Sequence, residues 1–327
     1  MLTWPHADTD WAEQLPRIES VYQALVTNIA RFQRLLIVCN SAAHRQHIES
    51  LLDDKSLQHC VFAIADSNDS WCRDHGPIGV QHKGELQLLD FQFNGWGQKF
   101  PAALDNAINQ ACAEQHIFAA PLHRIDLVLE GGSIETDGRG SLLTTEQCLL
   151  TDTRNPQLSK TEIEQQLKQL FGVQQILWLQ HGALAGDDTD SHIDTLARFC
   201  DPHTIVYCQC DEDDEHYAEL HAMEQELQQL CDADGQPYRL HALPLPDPVF
   251  DAEDQRMPAT YANFLIINGA VLVPVYNDRH DQQALDILAA IFKDREIIGI
   301  DCLPVIEQHG SLHCLTMQLP EGVLKSC

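Results

Sequence analysis

A lone cysteine near the end of the chain, in Gly310-Ser311-Leu312-His313-Cys314-Leu315-Thr316-Met317-Gln318, stands in an apolar, strand-like run shortly after a glycine. A thiol in such surroundings is ordinarily inert packing. Two other stretches argue for chemistry. Gly186-Asp187-Asp188-Thr189-Asp190-Ser191-His192-Ile193-Asp194 sets His192 among carboxylates, and Trp71-Cys72-Arg73-Asp74-His75-Gly76-Pro77 places a further acid, Asp74, on a tight turn. A cysteine nucleophile needs a partner that governs its protonation and a pocket that holds the electrophile. A thiol, an imidazole and several carboxylates together suit attack on a cationic carbon centre.

Each candidate also has an ordinary account. His313 is the sequence neighbour of Cys314, but adjacent side chains in a strand point to opposite faces, which leaves His192 as the better base. His192 and Asp194 share a face if their segment is extended, and Asp190 joins them. The competing account is a helix N-terminus capped by Asp188, Thr189 and Asp190. Glu130-Gly131-Gly132-Ser133 follows an apolar strand over 125–129. Two glycines let the backbone bend away and leave Glu130 facing a pocket, although a plain strand-end turn has the same composition. Asp74 either pairs with Arg73 on a surface turn or points inward, with Trp71 walling the same cavity.

Composition narrows the field. The chain has 327 residues, 44% of them hydrophobic, enough for one large domain or two ordinary ones. Its net charge is −29, from 49 acids against 20 bases. Phosphate backbones are repelled by such a surface, which argues against nucleic acid, while small cations are attracted. Solubility alone also accounts for much of that charge. The 12 cysteines are irregularly spaced and form no CxxC pair, so neither a disulfide framework nor a zinc cluster is indicated. A reduced, cytoplasmic protein is the expectation. Met1-Leu2-Thr3-Trp4-Pro5-His6 has neither a basic region nor a long apolar core, and no apolar run reaches membrane-spanning length.

The elements that must position these residues alternate. Apolar spacing predicts helices over 16–32, 42–52, 102–114, 161–171, 217–230 and 282–292. Pro16 suits a first turn, and Glu164 is placed to complete a capping box with Thr161. Strands are expected over 35–38, 60–65, 78–80, 86–93, 176–179, 204–208, 264–267, 270–275 and 297–300. A hairpin is expected between 126–134 and 141–145, around Asp137-Gly138-Arg139-Gly140. Asn268-Gly269 is the strongest hairpin signal. Hairpins mixed with βα units argue against a purely parallel sheet. The stretch 243–257, rich in proline and aspartate, reads as a surface loop or lid.

Taken together the motifs are specific. Residues 71–77, Asp90-Phe91-Gln92-Phe93-Asn94-Gly95-Trp96-Gly97, Leu129-Glu130-Gly131-Gly132-Ser133-Ile134, 186–199 and 310–318, in this order, resemble agmatine deiminases. These belong to the guanidine-modifying superfamily that also holds the peptidylarginine and arginine deiminases. The resemblance runs from Trp4-Pro5-His6 to the last strand. It implies a single catalytic domain over 1–327, folded as a five-bladed, pseudo-symmetric α/β propeller of ββαβ units with mixed sheets and the site in its central channel. It implies no metal and no organic cofactor.

Carried onto matching positions, it makes Cys314 the nucleophile and His192 the general acid and base. Asp74 and Asp194 hold the guanidinium nitrogens, and Glu130 binds the guanidinium too or orients His192. Trp71 packs on the substrate, and Asp188 and Asp190 reach toward the distal amine. The partner is a small cationic guanidino molecule rather than nucleic acid or membrane, with a homodimer as the candidate assembly. This sequence departs from the family where it has His309 and Ser311 before the nucleophile, and Ser191, at places where glycine is common.

The implied reaction converts agmatine to N-carbamoylputrescine and ammonia through a covalent thiouronium. The alternatives are a deiminase acting on free or peptidyl arginine to give citrulline, a metal-dependent hydrolase using His192, Asp188 and Asp194, and a non-enzymatic binding protein of the same fold. One consequence follows from charge alone. Carboxylates around a thiol disfavour its ionisation, so Cys314 is expected to be a neutral thiol until a cationic substrate or a protonated His192 is in place. Iodoacetamide labelling of Cys314 across pH should begin only at alkaline pH in the empty enzyme and at lower pH with a guanidino analogue bound. Ready labelling at low pH without the analogue contradicts this.

Overall fold

The computed structural model describes residues 1–325. Fifteen strands among them pair as five three-stranded sheets. These are β1 (Leu2–Thr3), β2 (Leu35–Cys39) and β3 (Cys60–Ile64); β4 (Ile78–His82), β5 (Glu85–Gln92) and β6 (Leu122–Val128); and β7 (Ile134–Thr136), β8 (Ser141–Thr145) and β9 (Gln175–Leu179). The last two are β10 (Ala197–Asp201), β11 (Thr204–Gln209) and β12 (Arg239–Pro244), and β13 (Leu265–Ile267), β14 (Ala270–Val275) and β15 (Glu296–Asp301).

In four sheets the first strand is antiparallel to the middle one and the middle one is parallel to the third. An antiparallel step needs only a tight turn, whereas a parallel step needs a crossover. Each unit therefore reads strand, strand, helix, strand, with Ile108–Glu114, Lys160–Phe171, Tyr217–Leu227 and Asp281–Ile291 as crossovers. In the first sheet β1 and β2 are parallel, and the helix Leu15–Ile29 crosses between them. The fold is thus α/β with small mixed sheets. Middle strands such as β2 and β8 are buried along their whole length, because neighbours pair on both edges and packing covers both faces.

Much of the expected order is present, including the Asn268-Gly269 hairpin, with Gly269 at φ 73°. Four readings are corrected. The run 126–134 is not one strand. β6 ends at Val128 and pairs with β5, the chain bends where Ser133 N and Oγ donate to the Glu130 carbonyl, and β7 then starts the hairpin with β8. The helix expected from Thr161 is capped two residues earlier. Ser159 accepts from Glu162 N, Glu162 reaches back to Ser159 N, and Glu164 instead accepts from the Trp178 indole. Residues 310–318 are a series of turns rather than a strand. The strands β10 and β12 were not expected, and β12 takes the first two residues of the stretch read as a loop or lid.

One regularity positions the site. Asp74 lies in the one-turn helix Cys72–His75 just ahead of β4. Glu130 and Gly132 lie ahead of β7, His192 and Asp194 ahead of β10, and Asn263 ahead of β13. Met317 N donates to Met1 O at 3.0 Å, so the Cys314 segment stands in the same relation to β1. Five sheets thus each begin from a segment that reaches one place.

The capping box gives a test of the local reading. Ser159→Ala should lower the denaturant midpoint by the equivalent of about 1 kcal/mol with an unchanged slope. Thr161→Ala, inside the first turn, should change it by less than about 0.5 kcal/mol.

Candidate active site

The two aspartates that sequence reading assigned to the guanidinium come together deep in the protein. Asp74 is 4% exposed and Asp194 is fully buried. The Trp96 indole donates to Asp74 Oδ2 at 2.9 Å, and Gly132 N donates to Oδ1 at 3.0 Å. Trp96 adopts a left-handed conformation, φ 54°, between two glycines that are also left-handed. That backbone costs a bulky residue energy and brings its indole onto the carboxylate. Burial pushes the Asp74 carboxyl well above its ordinary range, with Asp194 as the next cause. Burial pushes Asp194 up to about 7, against opposing pulls from Arg198 and Arg73.

His192 stands on the other side of these acids. Its segment is not extended. His192 precedes the single 3₁₀ turn Ile193–Thr195, which swings Asp194 toward the same point by a different route. The helix with caps at Asp188–Asp190 is absent among the described residues. His192 Nδ1 is 3.6 Å from Asp74 Oδ1, and neither ring nitrogen has a hydrogen-bond partner among the described residues. Burial holds this imidazole well below its usual value, with Arg154 and Lys99 adding to the effect. It is therefore a neutral ring with both nitrogens available. Gly132 is what lets the groups meet: a Cβ there would lie 2.6 Å from His192 Nδ1, 2.8 Å from Asp74 Oδ1 and 3.1 Å from Asp194 Oδ2.

Cys314 closes the constellation. Its thiol donates weakly to Asn263 Oδ1 at 3.4 Å, and His313 N and Cys314 N donate to the same oxygen at 2.8 and 3.3 Å. Asn263 Nδ2 in turn donates to the Asp194 carbonyl at 3.2 Å. One buried amide therefore ties the Cys314 turn to the Asp194 segment. Arg73, for which a surface pairing was one reading, is buried behind Cys314. Its backbone N donates to Cys314 O at 3.0 Å and its guanidinium reaches His313 O and Gln318. The thiol is pushed well above its usual value by burial first, then by Asp194 and Asp74.

Glu130 is placed differently from Asp74 and Asp194. Both its oxygens accept from Arg154 Nε, at 2.9 and 3.0 Å, in a pair with no exposure on either side. Arg154 also donates to Asp190 Oδ2 at 2.7 Å and to Thr189 O at 2.9 Å. Removing either partner of such a buried pair costs about 3–5 kcal/mol, since a bare charge is left behind. Glu130, Cys148 Sγ and a His192 nitrogen lie within 4.8 Å of one another, which puts Glu130 beside the imidazole. The Arg154 cation bonded to Glu130 makes that trio unsuited to a metal ion. Among the described residues, His192, Asp188 and Asp194 do not bring their donor atoms together as metal ligands would.

A cleft of about 450 Å³, measured to its open mouth, leads to this constellation. Cys314 and Asp74 line its buried part, and Trp71, Trp96 and Phe100 form walls. Asp10, Asp69 and Asp188 face it, with Gln308 and His309 toward solvent, and among the described residues neither lysine nor arginine lines it. Asp188 thus opens onto the cleft; burial raises its carboxyl to about 6. Asp190 does not, because its oxygens are taken by Lys99 and Arg154. The stretch 243–257 does not line the cleft either; part of it borders a larger surface groove near Asp214 and Arg256 that holds none of the motif residues. Trp71 leans on Trp11, ring centroids 5.6 Å apart, and Gly310 leaves room for it, since a Cβ there would come within 2.1 Å of the indole. Ser191 and His309, two of the departures from glycine, are both left-handed, φ 62° and 64°, while Ser311 is not.

The model of the Porphyromonas-type peptidyl-arginine deiminase family matches residues 1–320. The chain belongs to this family. A curated relative, the agmatine deiminase of Pseudomonas aeruginosa (strain LESB58), is 32% identical over 343 aligned residues, covering 98% of this chain and 92% of the relative. Among solved structures, a Porphyromonas gingivalis protein provisionally named an arginine deiminase is 50% identical, covers 99% of this chain and 96% of its own, and superposes with a TM-score of 0.94. A C. jejuni agmatine deiminase, a cysteine-to-serine variant with substrate bound, is 40% identical, covers 96% and 91%, and has a TM-score of 0.90.

Several members of this deiminase site escaped the sequence. Asn263, Arg154 and Asp69 lie outside the motifs, and only folding brings them near. Trp96 was inside a motif, flanked by glycines, but nothing in its spacing showed that its indole reaches Asp74. The clearest test concerns Gly132. Gly132→Ala should lower kcat/KM by about a hundredfold or more by forcing His192 and Asp74 apart. Gly138→Ala, with open space around it, should leave activity unchanged.

Proposed function

We propose that this protein hydrolyses the guanidinium of agmatine to N-carbamoylputrescine and ammonia, through a covalent intermediate on Cys314. The observation that carries the reading is a cleft whose buried end holds the Cys314 thiol and Asp74, with His192 and Asp194 gathered beside Asp74 around Gly132, and with aspartates but no lysine or arginine among the described residues that line it. Agmatine is a cation at both ends. The names of curated relatives matched over almost the whole chain support the same activity. Free or peptidyl arginine is the second reading, supported by the name of the family model. Free arginine brings a carboxylate, and two cations beside the cleft are already engaged: Lys99 with Asp188 O and Asp190, and Arg154 with Thr189 O, Asp190 and Glu130.

A guanidinium is planar, and carboxylates bind it through paired hydrogen bonds. Asp74 and Asp194 grip its nitrogens and present the central carbon to Cys314. Its positive charge offsets the acids that hold the thiol neutral, so the thiol ionises beside it and its proton passes to the neutral His192 ring. Sulfur bonds to carbon, and the tetrahedral adduct collapses as the C–N bond breaks with His192 supplying the proton that ammonia carries away. His192, left as a base, takes a proton from water; hydroxide adds to carbon, the C–S bond breaks, and the ureido product leaves with the thiol restored. Glu130, held by Arg154, orients His192 and steadies its charged form. Trp71 and Trp96 wall the substrate, and Asp188 faces its distal amine.

The arrangement of the sheets as five blades around the cleft belongs to the same proposal. It is supported by the repeated unit and by the five segments that converge ahead of each sheet's first strand. A single catalytic domain follows, since no sheet could be removed without losing part of the site. A cytoplasmic location fits the free thiols among the described cysteines, and no described helix is long and apolar enough to cross a membrane. Assembly as a homodimer is for sedimentation to decide.

Ammonia release should be fastest with agmatine, at least about tenfold slower with free arginine, and absent with Cys314→Ala. Because burial raises Asp194 to about 7, its cation-binding form is lost as pH falls through that value, so kcat/KM should decline below about pH 7. Asp194→Asn should remove most activity, and a preference for arginine would reverse the substrate assignment.

A further inference from the structure

His313 was set aside on the sequence because a strand would turn it away from Cys314. The turn over 310–318 removes that argument. The His313 ring is buried, with Nδ1 2.7 Å from Asp194 Oδ2 and Nε2 3.1 Å from Arg198 Nη2. Arg198 is itself buried at 2% exposure. It donates to the Ala262 and Phe264 carbonyls, at 3.2 and 2.8 Å, and its Nε donates to Glu135. A guanidinium has donors only. Nε2 of His313 must therefore accept from Arg198, which places the ring proton on Nδ1, where it donates to Asp194.

We infer that Glu135, Arg198 and His313 form a positioning relay that sets the rotation of the Asp194 carboxylate, giving Oδ2 to His313 and leaving Oδ1 for the substrate guanidinium. This rests on Asp194 being a substrate-gripping acid, as proposed above. The second oxygen fits the role: Asp194 Oδ1 is buried and without a partner among the described residues. None of the three relay residues lines the cleft. Glu135 lies on β7 and Arg198 on β10, so the relay crosses between two sheets from behind the site. His313 is well suited to it, because burial, Arg198 and Arg73 all keep the ring neutral. A neutral imidazole with a fixed tautomer is a directional donor rather than a second charge.

The relay also acts on the acid's charge. On the cleft side Asp194 faces Asp74, His192 and Cys314. On the other side it faces His313, Arg198, Arg73 and Glu135, with Asp187 farther along its own segment. Arg198 is the largest of the influences that oppose burial there. Cutting the relay at His313 or at Arg198 should therefore raise the pH at which the grip is made, as well as misalign it.

The test compares His313→Leu, which has no donor, with His313→Asn, whose amide nitrogen can stand near the Nδ1 position. With agmatine, His313→Leu should raise KM at least about tenfold and move the acid limb of kcat/KM to higher pH. His313→Asn should recover most of both. Unchanged KM and pH profile in folded His313→Leu overturns the relay, and so does equal impairment in the two variants. If His313→Leu does not fold, the double variant Arg198→Met with Glu135→Gln removes both charges together; an unmoved acid limb there overturns it as well. The site reading fails separately: turnover by Cys314→Ala would refute the nucleophile whatever the His313 variants do.

Discussion

The constraint on which the structure depends is the burial of two carboxylates beside a thiol with no fixed cation facing them in the cleft. Burial raises the pKa of an acid and of a thiol alike, and like charges raise it further. Asp74, Asp194 and Cys314 all move in that direction. In the empty protein this costs stability, as functional sites often do. The missing charge is the one a guanidinium supplies. On the proposed reading the site is one half of an ion pair, and substrate binding and ionisation of the Cys314 thiol are a single electrostatic event. Arg154, Arg198 and Arg73 sit behind the acids, close enough to moderate them and too firmly bonded to neutralise them.

Holding such groups together requires a rigid frame, and the sheets provide it in a regular way. Four site segments precede the first strand of their sheet, and the Cys314 segment bonds to Met1 beside β1, so each short irregular stretch is anchored within a few residues of a hydrogen-bonded ladder. Between the segments the contacts are backbone-directed. Gly132 N meets Asp74, Asn263 spans the Cys314 turn and the Asp194 carbonyl, and Arg73 N holds Cys314 O. Bonds of this kind fix distance better than pairs of long side chains do. Trp96, Asp190, Ser191 and His309 are all left-handed, and Trp96 and His309 line the cleft.

Much of this was legible in the sequence. Helix and strand periodicities located most elements because their buried faces are continuous, and Asn268-Gly269 declared its turn outright. Cys314, His192, Asp194, Asp74 and Glu130 were all singled out, and the structure brings them together. What escaped had physical reasons. A bend such as 129–133 leaves hydrophobic periodicity intact, so β6 and β7 merged into one run. The turn at 310–318 is apolar because it is buried, and buried turns and buried strands share a composition. β12 has only a half-buried pattern, and the aspartates and prolines after it masked it. Asn263, Arg154 and Arg198 could not be found, since their role lies in partners far along the chain: Glu130 is 24 residues from Arg154, Asp194 is 69 from Asn263, and His313 is 115 from Arg198.

The order of the site segments along the chain has a consequence for how the protein comes into being. The first acid, Asp74, is made early, and the sulfur that completes the set is made only after nearly all the rest, at position 314. During synthesis the growing chain can assemble sheets one after another, domain-like and stable in part. Until the turn that carries Cys314 docks against Asn263, the cluster of acids and imidazole lacks its sulfur.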